Sequence, residues 1–364
     1  MKNLKTQGFI LIDVDVAALN NAGKSSTSNF DNAVATKSIY KNGKKHTYVS
    51  GQAWRYWWRD TLQKQLGWDM SPITRETKIA FTDANPIKFA DDDIFGYMRA
   101  AKAPILDDAG EVVTDKKGNP KMENVTVTRV SPLKNSAIVS VTAVSTQENW
   151  SSMARHEGDS VPYSKEEYSA IMKGMFAIDL TQAGTFSNYN KTGFKNLTDL
   201  LQKEAIENGA TLISDPYVKD SKGEQQQLVR LEKGIRQKRI TDTLKALKFI
   251  SGGAMQTSNM ADVAPKFIIL STMTVGNHPF THVTNSSGIS GQNFNLNVKG
   301  IREILIDFEK QFEGKIYIGV RNGFLDREDE KALEELDIDY KNLEVTTVND
   351  AIDSYCTDVE KLIE

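Results

Sequence analysis

Residues 46–62 read HTYVSGQAWRYWWRDTL, with three tryptophans and two arginines directly behind a Ser-Gly pair. Large apolar surface and permanent positive charge seldom share so short a stretch, and helical spacing separates them. A helix starting near residue 51 and stopped by Gly67 fits the pattern. With Gln52 at zero and 100° per residue, Trp57, Trp54, Trp58 and Leu62 fall at about 140°, 200°, 240° and 280°. Arg55 and Arg59 fall at about 300° and 340°, beside Gln52. The tryptophans are therefore expected in a core, and Gln52, Arg55 and Arg59 along an edge that stays wet. Ser50 is placed to cap the helix, and Gly51 admits a close neighbour. The helix start offers unpaired N–H groups and partial positive charge to an anion. With Lys37, Lys41, Lys44 and Lys45 just upstream, these residues suit a surface that tracks a phosphate backbone. They equally suit a solvated basic helix edge beside a loop, and spacing alone leaves both readings open.

The whole chain has 364 residues, of which 39% are hydrophobic and 26% charged, an ordinary globular composition that allows one large domain or two. No apolar run is long enough to span a bilayer, and the N-terminal MKNLKTQGFILIDVDV reads as a strand rather than a targeting signal. The single cysteine, Cys356, excludes an internal disulfide framework and Cys-based zinc sites, so a soluble cytoplasmic protein is expected. Net charge is −3, which argues against a generic nucleic-acid binder, but the charge is unevenly spread. Residues 1–65 carry ten Lys and Arg against four Asp and Glu, whereas residues 301–364 carry eight against eighteen. A basic head and acidic tail are compatible with polyanion binding at one end, with head-to-tail stacking of copies, or with simple solubilisation.

Upstream, residues 8–19 read as a strand with Phe9 and Leu11 on one face and Ile10, Ile12 and Val14 on the other; residues 20–47 form a polar, lysine-dotted loop. Downstream, residues 69–130 hold four prolines and turn-like DDAGE and DKKGNP, the texture of an insertion built from hairpins. Strands are expected at 136–145, 174–184, 265–275 and 315–320, the third with a continuous apolar centre and so buried on both faces. Helices are expected at 194–209, 239–250 and 298–312, while 146–165 and 214–234 read as loops or hairpins. The class is α+β or α/β.

Catalytic patterns are scarce. There is no P-loop, dinucleotide fingerprint or His-Glu-x-x-His. His278 and His282 have helical spacing, but Pro279 between them and the loop-like surroundings disfavour a metal site. Four histidines and one cysteine leave little for nucleophilic catalysis, and no cofactor is implied.

The stretch HTYVSGQAWRYWWRDTL, preceded by IDVDVAALNNAG, resembles the backbone subunit of type I CRISPR surveillance complexes (Cascade), the DevR-like Cas-seven family, and within it the type I-B branch. VTRVSPLKNSAIVSV (126–141), GMFAIDLTQAGTF (174–186) and LKALKFISGGAMQTSNMADVAPKFIILS (244–271) match in the expected order. The pairing of the Ser-Gly-Gln-x-x-Arg-x-x-x-Arg helix with the Gly-Gly-Ala-x-Gln turn is what makes the resemblance specific. It implies an RRM-like (ferredoxin-like) α+β palm at 1–68 and 130–320, a finger-like insertion at 69–129, a thumb hairpin at 143–168 and an acidic C-terminal segment at 321–364. Copies of such a subunit stack along one crRNA, beside other Cascade subunits, and present the guide to target DNA. The resemblance carries RNA contact onto Ser50, Gln52, Arg55 and Arg59, with Gly51 between them. Lys37 is a further contact, as is the turn at Gly252, Gly253, Ala254 and Gln256. In the thumb, Trp150 or Met153 is either a wedge that turns a base out of the stack or packing between thumb and palm.

The aromatic pattern of sheet-stacking RNA readers is not visible, which suits a protein that holds sugar and phosphate and leaves bases free. Type III relatives with the same palm cut target RNA with a metal ion and an aspartate in the loop after the first strand. Asp31 occupies the corresponding loop, so a metal-dependent nuclease is the alternative reading. A regulatory or structural protein using this fold without guide RNA is the third.

Overall fold

The computed structural model describes residues 2–25, 32–77, 79–105, 107, 111–153, 157–159, 161–190, 195–286 and 294–364. Its centre is β1 (Lys5–Ala17), whose Phe9, Ile10, Leu11, Ile12 and Val14 are buried on the two sides of one sheet. Along that sheet lie β2 (Ser38–Lys41), β3 (Lys44–Val49), β4 (Ile138–Ser140), β5 (Val161–Asp179), β6 (Phe267–Met273), β7 (Ile316–Val320) and β8 (Leu343–Thr346). Their spatial order is β8-β7-β6-β1-β5-β4-β3-β2. The four middle strands, β6-β1-β5-β4, are mutually antiparallel, and only β7 and β8 in this row run parallel. The result is a mixed α+β fold.

Helices cover both faces. Ile10, Ile12 and Val14 share a core with Trp54, Trp57, Trp58 and Leu62 of α1 (Gly51–Leu66). Ile240 and Leu244, from the later helix Lys233–Lys245, complete that layer. Phe9 and Leu11 face a second core with Phe280, with Ile301 and Leu305 from helix Val298–Asp307, and with Leu333 and Leu336 from helix Arg327–Asp339. β6 is buried at every position, as its unbroken apolar centre requires. No helix among the described residues is long and apolar enough to cross a membrane.

Three further segments complete the fold. The polar stretch 146–165 is a hairpin: Gln147–Met153 pairs with the start of β5, from Gln147 opposite Glu167 to Met153 opposite Val161. β5 therefore begins at Val161 and runs unbroken for 19 residues from the hairpin into the middle of the sheet. Residues 185–230 build a small unit of their own, three strands and helix Asp199–Glu207 around Phe186, Leu197, Ala205 and Val229. The acidic C-terminal segment 321–364 is part of the main body. β8 extends the sheet, and the last helix, Val348–Leu362, buries Ile352, Tyr355 and Val359 in the core with α1. Its Tyr355 hydroxyl meets Thr6 and Thr272 hydroxyls, both at 2.8 Å. Most acids of this segment lie on the outer faces of its amphipathic helices.

Candidate nucleic-acid interface

α1 starts and stops as its sequence dictates. Ser50 is extended and its side chain accepts the Ala53 N–H at 3.3 Å, and Gly67 ends the helix in the left-handed region. Trp54 and Trp58 stack at 5.4 Å, both edge-on to Phe176, and the Trp58 indole donates to the Thr243 carbonyl at 2.7 Å. This mounting fixes the direction in which the helix N-terminus points.

Against that terminus lies the short strand Leu133–Asn135, paired with β5. Asn135 organises the contact. Its Nδ2 donates to the Gly51 carbonyl at 3.1 Å, and its Oδ1 accepts from Arg55 at 3.0 Å. Gly51 permits this approach, since a Cβ there would stand 3.2 Å from the same amide nitrogen. An open cleft of about 450 Å³ results, lined by Gly51, Gln52, Arg55, Lys134, Asn135 and Ala137. Gln52 and Lys134 are exposed, and the lining contains no acid.

The two arginines, expected together on a wet edge, have different surroundings. Arg55 is half-buried and donates to the carbonyls of Leu133 and Phe95 at 2.8 and 2.7 Å and to the Ser131 hydroxyl at 2.9 Å. It also lies 5.0 Å over the Phe95 ring. Burial, with the neighbouring Arg59 charge, lowers its pKa to about 10, so it stays cationic at neutral pH. Its hydrogen-bond partners among the described residues are all neutral, and none of them cancels its positive charge. Arg59 instead forms a 2.5 Å ion pair with the buried Asp91. Asp91 opens the run Asp91-Asp92-Asp93 in the short helix Ala90–Phe95, all three buried. Asp93 ties this helix to Arg129 at 2.6 Å and to Arg239 of the helix Lys233–Lys245 at 2.9 Å. Arg59 thus belongs to the joint between α1 and the helix Ala90–Phe95, a partnership that a helical wheel does not reveal.

The glycine turn backs α1 from the other side. Gly252 lies against the Trp57 indole, and Gly253 has φ +108° where a Cβ would meet Leu19. The Ala254 N–H donates to the Leu19 carbonyl at 3.1 Å. The Gln256 amide donates to the carbonyls of Gly252 and Ala261, closing the turn. These four residues brace the end of β1 and the back of α1. Lys37 is half-buried between two short strands; its N–H donates to Asn20 and its carbonyl accepts from Tyr48, both at 3.2 Å. On the hairpin, Trp150 is 62% exposed. Met153 ends that strand, and its side chain, like the whole of Asp31, lies outside the described residues. Among the described residues no group of three or more His, Cys, Asp or Glu is placed to hold a metal ion. His278 is bonded to the Gly8 carbonyl at 2.9 Å, and burial lowers its pKa.

Residues 10–292 match the model of the CRISPR-associated negative auto-regulator DevR/Csa2 family. The chain belongs to that family. Two solved structures share its fold. One, described as a CRISPR RNA-guided surveillance complex, aligns with TM-score 0.51 and 10% identity over 98% of this chain and 99% of that one. Another, of a CRISPR RNA-guided surveillance complex in a pre-nicking state, gives 0.56 and 9% over 97% and 99%. Comparison with curated proteins gives no match.

In this DevR/Csa2 chain the cleft gathers Gly51, Gln52 and Arg55 next to the Ser50 cap, and adds two residues that sequence reasoning missed, Lys134 and Asn135. Both lie inside the matching segment VTRVSPLKNSAIVSV, but an isolated Lys-Asn pair carries no spacing signal. Only the pairing of Leu133–Asn135 with β5 brings them to the helix.

Proposed function

We propose that this DevR/Csa2 member is a non-catalytic backbone subunit of a cytoplasmic type I CRISPR surveillance complex, of the I-B branch. In this reading it binds crRNA, assembles along it with further copies and other Cascade subunits, and leaves the bases open to target DNA. The observation that carries the reading is the acid-free cleft at the α1 N-terminus. There a helix dipole, the uncancelled Arg55 charge and the exposed Lys134 converge. The middle strands β6-β1-β5-β4, with α1 following β1 and helix Lys233–Lys245 preceding β6, support an RRM-like palm. The face on which RRM proteins stack bases is closed here by Phe280 and the helices Val298–Asp307 and Arg327–Asp339, which favours backbone holding over base reading.

The test is binding of fluorescently labelled single-stranded RNA to Gln52→Glu. An acid in the first helical turn suits the dipole, so folding is retained, while the phosphate site gains a repulsive charge. Affinity is expected to fall roughly tenfold; unchanged affinity would remove the cleft from the RNA path. The non-catalytic part is tested with guide, complementary RNA and magnesium. Cleavage that disappears in Asp31→Ala would overturn it.

A further inference from the structure

The unit 185–230 leaves a cavity of about 490 Å³ between itself and the palm, within the range of about 300–1,000 Å³ common for small-molecule sites. Lys134 lines this cavity as well as the cleft at α1, so the two spaces meet at one exposed cation. We propose that the cavity is a nucleoside subsite: the single strand whose phosphate sits at α1 and Lys134 places an adjoining base and sugar beside Tyr217. This rests on the RNA-binding reading above and extends it to a part of the chain that reading leaves without a role.

The lining favours a nucleoside over a second phosphate. It contains two acids, and both are held by the protein. Asp179 accepts the N–H groups of Thr181 and Gln182 at 3.1 and 3.0 Å and lies 3.7 Å from the Lys5 ammonium. Asp215 takes the Tyr189 hydroxyl and, at 2.8 Å, the Tyr217 N–H. Of the three lining cations, Lys5 is matched by Asp179 and Arg129 by Asp93, leaving Lys134, so the lining disfavours a further phosphate and tolerates a neutral base and ribose. Tyr217 is 72% exposed while its backbone is held by Asp215, so its ring is an accessible aromatic platform at the wall. Base–aromatic stacking uses such rings without regard to sequence. Thr185 lines the same space, is 7% exposed, and has a hydroxyl without a partner among the described residues. It is a polar group suited to an incoming hydroxyl or amide after a small side-chain rotation.

The experiment measures labelled single-stranded RNA binding to the full chain across a salt series. Tyr217→Ala is expected to weaken binding roughly tenfold at every salt concentration with an unchanged salt slope, because stacking releases no counterions. Tyr217→Phe should bind within about twofold of wild type. Lys134→Gln should both weaken binding and reduce the slope by roughly 0.7, as expected for one phosphate of a single strand. RNA carrying 2-aminopurine should be quenched by wild type and Tyr217→Phe, and not by Tyr217→Ala. If Tyr217→Ala binds and quenches like wild type while Gln52→Glu is impaired, the subsite is overturned and the cleft stands. If neither substitution changes binding, both readings fall.

Discussion

Gly252 lies flat against Trp57: a Cβ on the glycine would stand 2.2 Å from the indole. The helix that faces the cleft and the distant glycine turn are therefore one packed unit, with the ring as the layer between them.

Gly252→Ala should destabilise the protein by about 1–3 kcal/mol through overpacking, and Trp57→Ala by about 3–5 kcal/mol through loss of the ring. The two are expected to be coupled. In the Trp57→Ala background the added methyl has room, so its cost should fall by at least about 0.5 kcal/mol. Urea unfolding of the four proteins measures this, and strict additivity would deny the contact.

Arg55 and Arg59 should separate by assay. Arg59→Ala leaves the Asp91 carboxylate buried without its cation and should cost about 2 kcal/mol, a figure held down because Arg59 is about a third exposed. Its RNA salt slope should match wild type. Arg55→Gln should reduce the slope by roughly 0.7, one phosphate's worth on a single strand, besides losing stability. A reduced slope in Arg59→Ala would place that arginine on the RNA after all.

Asp92 gives a pH-dependent test. Burial is the main cause that raises its pKa, while hydrogen bonds to Thr82, Ser71 and the Asn85 N–H oppose it. A folded-state value above the unfolded one means that the folded state holds the proton more tightly. The stability it contributes is complete below the ordinary carboxylate range and is lost as pH rises through the raised value. Asp92→Asn keeps an acceptor for Asn85 and removes the buried charge. It should raise the melting temperature at neutral pH, with the gain vanishing in acid. A gain of equal size at both pH values would show that charge is not the cause.

Trp150 should be neutral for folding. With 62% of it exposed, Trp150→Ala is expected to change stability by no more than about 0.5 kcal/mol. The role left open by sequence is then decided by RNA: a wedge predicts altered fluorescence of 2-aminopurine in bound RNA, while a packing residue predicts a lower melting temperature and no spectral change.

Legibility followed the range of the interaction. The two faces of β1 and the division of α1 into buried tryptophans and exposed Gln52 follow from local periodicity, and the structure places them so. Gly67 and Ser50 mark helix ends through backbone chemistry confined to a few residues. Periodicity alone does not show the hairpin 147–167, because much of both its faces is polar, with Glu148, Lys165 and Glu167 where a strand pattern needs apolar residues. Asn135 and Asp91 were out of reach for another reason. Each acquires its role from a partner on a separate element, and a lone Asn or a buried Asp within an acidic run looks like surface. The place of the C-terminal segment in the core rests on Ile352, Tyr355 and Val359, which lie on the side of the last helix opposite its acids and find their partners on distant elements.

β5 carries one more implication. Nineteen residues of strand span about 60 Å at 3.3 Å each. The outer end pairs with the Trp150 strand and the inner end with β1, so the tip and the core are ends of a single beam. The reach of Trp150 is therefore set by backbone register counted from Asp179, as graduations are set on a ruler. Inserting two residues in the outer part of β5 would preserve which side chains face which way and move the tip by one graduation.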